Sequence, residues 1–272
     1  MAQPTISICL CCHNDAPYLK LLLRSIIENT TVPFEICVVD NGSTDGTQAW
    51  LLEQREKLDG KLKVAGNIQN IGVGAVNQAV ELSSGKYVLD INSDMIVLPG
   101  WDMALLRKLK KLERMNDGFA SVSATLIEPR AGNPEYHFGD FGSTPDTCKY
   151  QSLTQNASRY LQDGVRKKDT IQFSHPILMS RETWDKVGGI SDGYPFPGMC
   201  TDVDLGFKLL KNGAKCVMCG DAVVYHFGSA TLIRMRGEGV ETPPGEKEFA
   251  EKFGAFPRHM YDEYDVRKEF QW

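Results

Sequence analysis

Residues 87–95 pass from Tyr87-Val88-Leu89 into Asp90-Ile91-Asn92-Ser93-Asp94-Met95. An apolar run that ends in short oxygen-bearing side chains is how a strand delivers carboxylates to the edge of a sheet. Asn92, Ser93 and Asp94 offer the hard oxygen donors that Mg2+ or Mn2+ takes, and a diphosphate can complete such a shell. Other polar clusters are spaced to meet them. Asp40 follows the apolar run 34–39. Thr201-Asp202-Val203-Asp204 opens a helical pattern. One acid there suits the helix dipole, and a second exceeds what a cap needs, so one of the two is a candidate general base. His226 closes the run Val223-Val224-Tyr225, where it could be a packed histidine or a metal ligand. Together these residues describe a site for a divalent metal and a nucleoside diphosphate.

Each cluster also has a plainer reading. Asp40-Asn41-Gly42-Ser43-Thr44-Asp45-Gly46 can hold a nucleobase or ribose, or it can be a capped turn between strand and helix. Asn70-Ile71-Gly72-Val73-Gly74-Ala75-Val76-Asn77 is rich in glycine before a helix. It lacks the third glycine of a dinucleotide fingerprint and follows the third strand rather than the first, which argues against an NAD site.

The elements that must position these groups alternate. Apolar runs at 5–12, 34–39, 61–64 and 86–91 read as buried strands, and 16–27, 44–58 and 74–82 carry helical spacing. Such alternation implies βαβ units and a mainly parallel sheet, whose ligands bind beyond the carboxyl ends of the strands. A helix with Leu105, Leu106, Leu109 and Leu112 follows Trp101, and 120–127 is a further strand. Residues 128–169 turn polar and form a candidate lid or acceptor-recognition insert. Order returns at 171–180, with helices expected over 181–187, 202–212 and 245–253, strands over 214–219 and 223–226, and a basic stretch at Arg234 and Arg236. The tail is aromatic (Phe256, Tyr261, Tyr264, Phe270, Trp272), which leaves a homo-oligomeric interface open.

The bulk numbers narrow the class. With 272 residues, 42% of them hydrophobic and 24% charged, the chain can bury a sizeable α/β core. A net charge of -5 argues against a general nucleic-acid binder. No signal peptide and no apolar run long enough for a transmembrane helix is evident, so the expected setting is cytoplasmic, with the inner membrane face as the place where a lipid-linked acceptor would bring it. Of the eight cysteines, Cys9, Cys11, Cys12 and Cys37 lie in strand-like runs and read as reduced core thiols. Cys216 and Cys219 form one CxxC with no second ligand pair, and they sit in another strand-like run.

In their order and spacing, CCHND, VVDNGSTDGT, NIGVGAVNQA, DINSDMIVLPGW, SRETWDKVGGISD, TDVDLGFKLLKNGAK and VVYHFGS resemble a family 2 glycosyltransferase of the GT-A fold, over about residues 5–228. The closest flavour is the rhamnosyltransferase-like branch that builds polysaccharides. The resemblance implies a Rossmann-like, mainly parallel central sheet with flanking helices. It implies a single catalytic domain over 1–230, made of a nucleotide-binding half (1–95) and an acceptor-binding half (96–230), with 231–272 as a helical and aromatic extension. It implies inverting transfer from a nucleotide-sugar to a glycan, lipid-linked or protein acceptor, with Mn2+ or Mg2+ as cofactor. Cys11, His13 and Asp40 fall where the family holds the nucleobase, and Asn14, Asn70, Asn77 and Ser93 are the further nucleotide-binding candidates. Asp94 would be the chief metal ligand, with Asn92 and His226 completing the site, and Asp202 the catalytic base. Asn92 replaces the first acid of the family's DxD, Thr201 stands where Glu is frequent, and Val76 where Arg is frequent. A non-catalytic module on the same fold and a sugar nucleotidyltransferase are the competing readings. Leu10-Cys11-Cys12-His13-Asn14-Asp15 lacks the glycine-rich basic loop the nucleotidyltransferase would need.

Overall fold

The computed structural model describes residues 3–129, 141–156, 174–228, 230–255 and 257. Much of the 128–169 insert and all five named tail aromatics lie outside them.

Among the described residues eight strands form one sheet in the order β3-β2-β1-β4-β7-β6-β8-β5. They are β1 (Ile6–Cys12), β2 (Phe34–Asn41), β3 (Leu62–Asn67), β4 (Tyr87–Asp90), β5 (Met95–Val97), β6 (Ala120–Ile127), β7 (Ile177–Ser180) and β8 (Lys215–His226). Strand alternation sends successive side chains to opposite faces. On β1, Ile6, Ile8, Leu10 and Cys12 enter one apolar cluster while Cys9 enters the other. The helices α1 (Ala16–Asn29) and α4 (Trp101–Met115) cover the first face through Leu19, Leu22, Leu23, Ile26, Leu105 and Leu109. The second face is covered by α3 (Val76–Leu82), α6 (Arg181–Val187), α7 (Thr201–Lys211) and α9 (Glu246–Phe253). Phe249 of α9 is fully buried, its ring 5.5 Å from that of Phe207 on α7. The remaining helices are α2 (Thr47–Lys57), α5 (Tyr150–Gln155) and α8 (Ala230–Gly237).

The expected parallel sheet is present from β3 through β4 and again between β6 and β8. Elsewhere it reverses. β7 runs against both β4 and β6, and β5 runs against β8. Three local expectations also change. The two short strands expected over 214–226 are one continuous twelve-residue strand, whose pairing with β6 shifts register between Ala124 and Thr125. Met95–Val97, three residues long, is a strand because β8 supplies its ladder. The basic stretch near Arg234 is the helix α8. The helix expected over 44–58 runs from Thr47 to Lys57, with Gly46 at φ +90° and Asp45 accepting the Thr47 N–H at 3.0 Å.

At the end of the sheet opposite the strand tips, Glu35 gathers four elements. Its carboxylate accepts from Ser7 Oγ at 2.7 Å on β1, from the Ser84 hydroxyl at 3.0 Å and from the Gly85 N–H at 3.1 Å before β4, and it pairs with Lys63 of β3 at 2.7 Å. Burial opposes the charge, but Lys63 and the hydroxyl and amide donors outweigh it and hold the carboxyl at about 2. A depressed carboxyl contributes stability that is present above its unfolded pKa and is lost as pH falls towards the folded value. We expect urea-unfolding stability to drop by on the order of 2–3 kcal/mol between about pH 5 and pH 2 from this group. Glu35→Gln should be less stable than wild type at pH 7 and should show a flatter acid limb. An unchanged acid limb in that variant would remove Glu35 from the account.

Candidate active site

A cavity of about 330 Å³ opens where β1, β2, β4 and β8 end at their carboxyl sides and β7 begins. Cys11, His13, Asn70, Asn92, Ser93, Asp94, Asp202 and His226 all line it, so eight sequence-predicted residues share one space. Asn14, Asp40 and Asn77 do not line it.

Register explains the densest cluster. His226 is the last residue of β8, and the antiparallel ladder sets it opposite Met95 of β5. Asp94, one residue earlier, is thereby brought alongside, and His226 Nε2 lies 3.4 Å from Asp94 Oδ1. On the other flank β6 runs parallel to β8 with Ile127 opposite Tyr225. Glu128 therefore reaches His226 Nδ1 at 2.6 Å. Burial works against charge on the imidazole, but the two carboxylates overcome it and push His226 up to about 10. Burial likewise opposes the Asp94 carboxylate, and His226 together with the Ala230 N–H at 3.2 Å brings it below its ordinary value. A carboxylate and an imidazole nitrogen side by side are donors of the kind a divalent cation takes, although among the described residues no group of three or more His, Cys, Asp or Glu is placed to hold one. Glu128 was not singled out in the sequence, because its role depends on a pairing 98 residues distant.

The two acids at the start of α7 part company. Residues two apart on a helix point about 200° away from each other. Asp202 faces the cavity, with Oδ1 accepting the Val203 N–H at 2.8 Å and Oδ2 unpartnered among the described residues. Asp204 is fully buried and accepts from Tyr194 Oη at 2.8 Å, Ser191 Oγ at 2.5 Å and Lys252 Nζ at 2.6 Å. It fastens α9 to α7. Cys200, at the N-cap of α7, holds φ +74°. That left-handed conformation costs a residue with a side chain roughly 1–2 kcal/mol, and it aims the first turn at the cavity.

The opposite wall is braced by amides. Asn41 donates to Asn70 Oδ1 at 2.7 Å and to the Gly72 carbonyl at 2.9 Å, and its Oδ1 accepts from Asn67 and from the Ile71 N–H. His13 Nδ1 lies 3.0 Å from the Asn41 carbonyl oxygen. Asn14 is occupied by the neighbouring loop, accepting the Thr44 N–H at 2.7 Å. Asp40 is buried, with Oδ2 on the Ser43 N–H at 3.3 Å and Oδ1 without a partner among the described residues. Asn77, expected near the nucleotide, spends its amide on both backbone groups of Ile190, at 2.9 and 3.0 Å, and so clamps α3 to the loop after α6. Gly72 (φ +84°) lets two cavity loops touch: a Cβ there would lie 2.7 Å from the Pro197 carbonyl oxygen, and Val73 N–H donates to that oxygen at 2.9 Å.

Further residues on the cavity wall were not expected as site residues. Asp15 accepts from Ser93 Oγ at 2.9 Å and meets Arg234 of α8 at 3.4 Å, while Arg234 also donates to the His13 carbonyl at 2.6 Å. His175 lies against Asp90. Burial disfavours charge on that ring, and Asp90, aided by Asp202, outweighs burial and raises its pKa. Cys216 and Cys219 are buried strand thiols donating to the Ala214 and Ala104 carbonyls. No described helix is long and apolar enough to cross a membrane.

A family model for glycosyl transferase family 2 matches residues 7–160. An uncharacterized glycosyltransferase of Haemophilus influenzae is 27% identical over 206 residues, covering 71% of this chain and 63% of that relative. A putative teichuronic acid biosynthesis glycosyltransferase, TuaG, of Bacillus subtilis is 27% identical over 67% of this chain and 71% of its own length. An uncharacterized glycosyltransferase of Methanocaldococcus jannaschii is 31% identical over 72% of this chain and 68% of its own. In fold, the chain is similar to GalNAc-T7, whose crystal structure contains UDP, GalNAc and Mn2+. The TM-score is 0.63 at 17% identity, covering 83% of this chain and 44% of that one. The chain thus spans under two thirds of the Haemophilus relative and under half of GalNAc-T7.

The split between the two α7 acids has a direct test in denaturant unfolding. Asp204→Ala strands Lys252 and two hydroxyls and should cost about 2–4 kcal/mol. Asp202→Asn should change stability by less than about 0.5 kcal/mol. The reverse ranking would exchange their roles.

Proposed function

From the chain's membership of glycosyl transferase family 2, we propose that it moves a sugar from a nucleoside diphosphate to an acceptor hydroxyl, with inversion at the anomeric carbon. The observation that carries this reading is the convergence of Asp202 and the Asp94–His226 pair on one cavity. Inversion by single displacement needs a base on one side of the sugar and a stabilised leaving group on the other, and these two groups supply the two ends.

Asp94 and His226, with the side-chain carbonyl of Asn92, would hold a divalent cation. Its chemistry would be to neutralise charge on the departing diphosphate. Glu128 would hold the Nδ1–H of His226, so that Nε2 would ligate once the cation displaces its proton. Asp202 takes the proton of the acceptor hydroxyl as its oxygen attacks the anomeric carbon. The bond from that carbon to the diphosphate oxygen breaks in the same displacement, so no glycosyl-enzyme forms. A positioned base of this kind contributes about 10²–10⁴-fold.

The nucleobase is assigned to the wall of Cys11, Cys12, His13 and Asn41. The acceptor is assigned to the glycan, lipid-linked or protein class. The teichuronic acid assignment of the Bacillus relative supports polysaccharide or glycoconjugate synthesis, and the rhamnosyltransferase-like motifs support the same. The Mn2+ in the GalNAc-T7 structure makes manganese the first cation to try.

Calorimetric titration with UDP, dTDP and GDP, each with Mn2+ and with EDTA, should give metal-dependent binding of one of them. Binding of none would return the chain to the non-catalytic module. Asp202→Asn should lower transfer by about 10²–10⁴-fold and leave diphosphate affinity within about threefold. Loss of binding in that variant would make Asp202 structural. Asp94→Ala should abolish the metal dependence of binding. Glu128→Ala should weaken Mn2+ affinity by about 10–100-fold, and an unchanged Mn2+ isotherm would show that Glu128 does not support the site.

A further inference from the structure

Asp90 is the last residue of β4, and its carboxylate is 5% exposed. His175 lies two residues before β7 begins at Ile177. The β4–β7 ladder is antiparallel with Ile177 opposite Asp90, so the chain entering β7 crosses the end of β4. His175 Nε2 comes to 3.0 Å from Asp90 Oδ2, and its ring is 15% exposed. Among the described residues Nδ1 makes no hydrogen bond. Both residues line the same cavity as Asp94, His226 and Asp202.

The pair is poorly explained as a brace. Four backbone-paired positions already join β4 to β7, and taking a carboxylate and an imidazole out of water for one contact adds little stability. Its place on the cavity wall suggests a different use. In a single displacement the attacking and leaving oxygens stand on opposite sides of the anomeric carbon. The sugar ring must therefore lie between the base at Asp202 and the diphosphate end at Asp94 and His226. A mostly buried imidazole on the wall of that space, with one nitrogen fixed and the other open, is placed to meet a sugar. A hydroxyl suits it in either protonation state, because it can donate to a bare Nδ1 or accept from Nδ1–H.

Resting on the glycosyl-transfer reading above, we propose that Asp90 and His175 form a clamp for the donor sugar. Asp90 orients the ring through Nε2, and Nδ1 hydrogen-bonds a hydroxyl of the pyranose being transferred. The pair is then a determinant of which sugar is accepted, separate from the groups that hold the nucleotide.

The test compares each nucleotide-sugar with its parent diphosphate. Wild type, His175→Ala and Asp90→Asn are titrated with Mn2+ and UDP, UDP-glucose, UDP-N-acetylglucosamine, dTDP, dTDP-glucose, GDP and GDP-mannose, after thermal unfolding has shown that each variant is folded. For the pair that wild type binds, His175→Ala should lose about tenfold in affinity for the nucleotide-sugar and stay within about twofold for the diphosphate. Asp90→Asn, which keeps the ring but loosens its orientation, should lose less on the same ligand and serves as the readout if His175→Ala does not fold. Equal losses for sugar and diphosphate, or no loss for either, would overturn the clamp and leave a structural brace. Failure of wild type to bind any diphosphate would overturn the glycosyl-transfer reading itself, and the clamp with it.

Discussion

The ladder between β4 and β7 runs antiparallel, with Asp90 opposite Ile177, and the geometry of the cavity depends on that reversal. In a parallel sheet every strand presents its carboxyl end on one side, and the loops that follow supply the ligand groups. β7 contributes its amino end to that same side. The segment entering it can thus carry His175 across the tip of β4 instead of leaving the site at the far edge. The neighbouring strands use the same rule in the other sense. β6 and β8 end together, β5 begins beside the end of β8, and three chain segments distant in sequence leave Glu128, His226 and Asp94 in one cluster.

Such a rim concentrates carboxylates in a partly dry space, which is costly unless each is answered. The structure answers them in two ways. Asp204 is given hydroxyls and the Lys252 ammonium, and becomes a fastening between helices. Asp94 and Glu128 are given one imidazole between them, which answers both charges. Asp202 is answered only by a neighbouring amide. Its second oxygen is turned to the cavity with no partner among the described residues.

Much of this was legible in the residues. Apolar runs ending in Asp40, Asn92 and Asp94 mark strand tips by composition alone, and the helical spacing of Leu19, Leu22, Leu23 and Ile26 is local. Helix geometry also separates Asp202 from Asp204, although only the positions of Tyr194 and Lys252 say which of the two is spoken for. Other features were out of reach for a common reason. Met95–Val97 has no strand signal beyond three apolar residues, and it becomes a strand because β8 lies beside it. Glu128 and His175 sit in polar or irregular surroundings, and their roles arise from register, which links residues 98 and 85 positions apart. Asn77 shows the opposite case, a residue whose motif pointed to the nucleotide while the fold used its amide on Ile190.

The contact between Gly72 and Pro197 joins two walls of the cavity. The first loop continues from Asn70, beside the wall of His13 and Asn41, and the second runs on through Cys200 to Asp202. The Val73 N–H bond to the Pro197 oxygen ties them with almost no slack. A ligand that shifts the first loop therefore pulls on the segment leading to Asp202. That linkage couples the two walls mechanically, so a displacement on one side is passed to the other through a single backbone hydrogen bond.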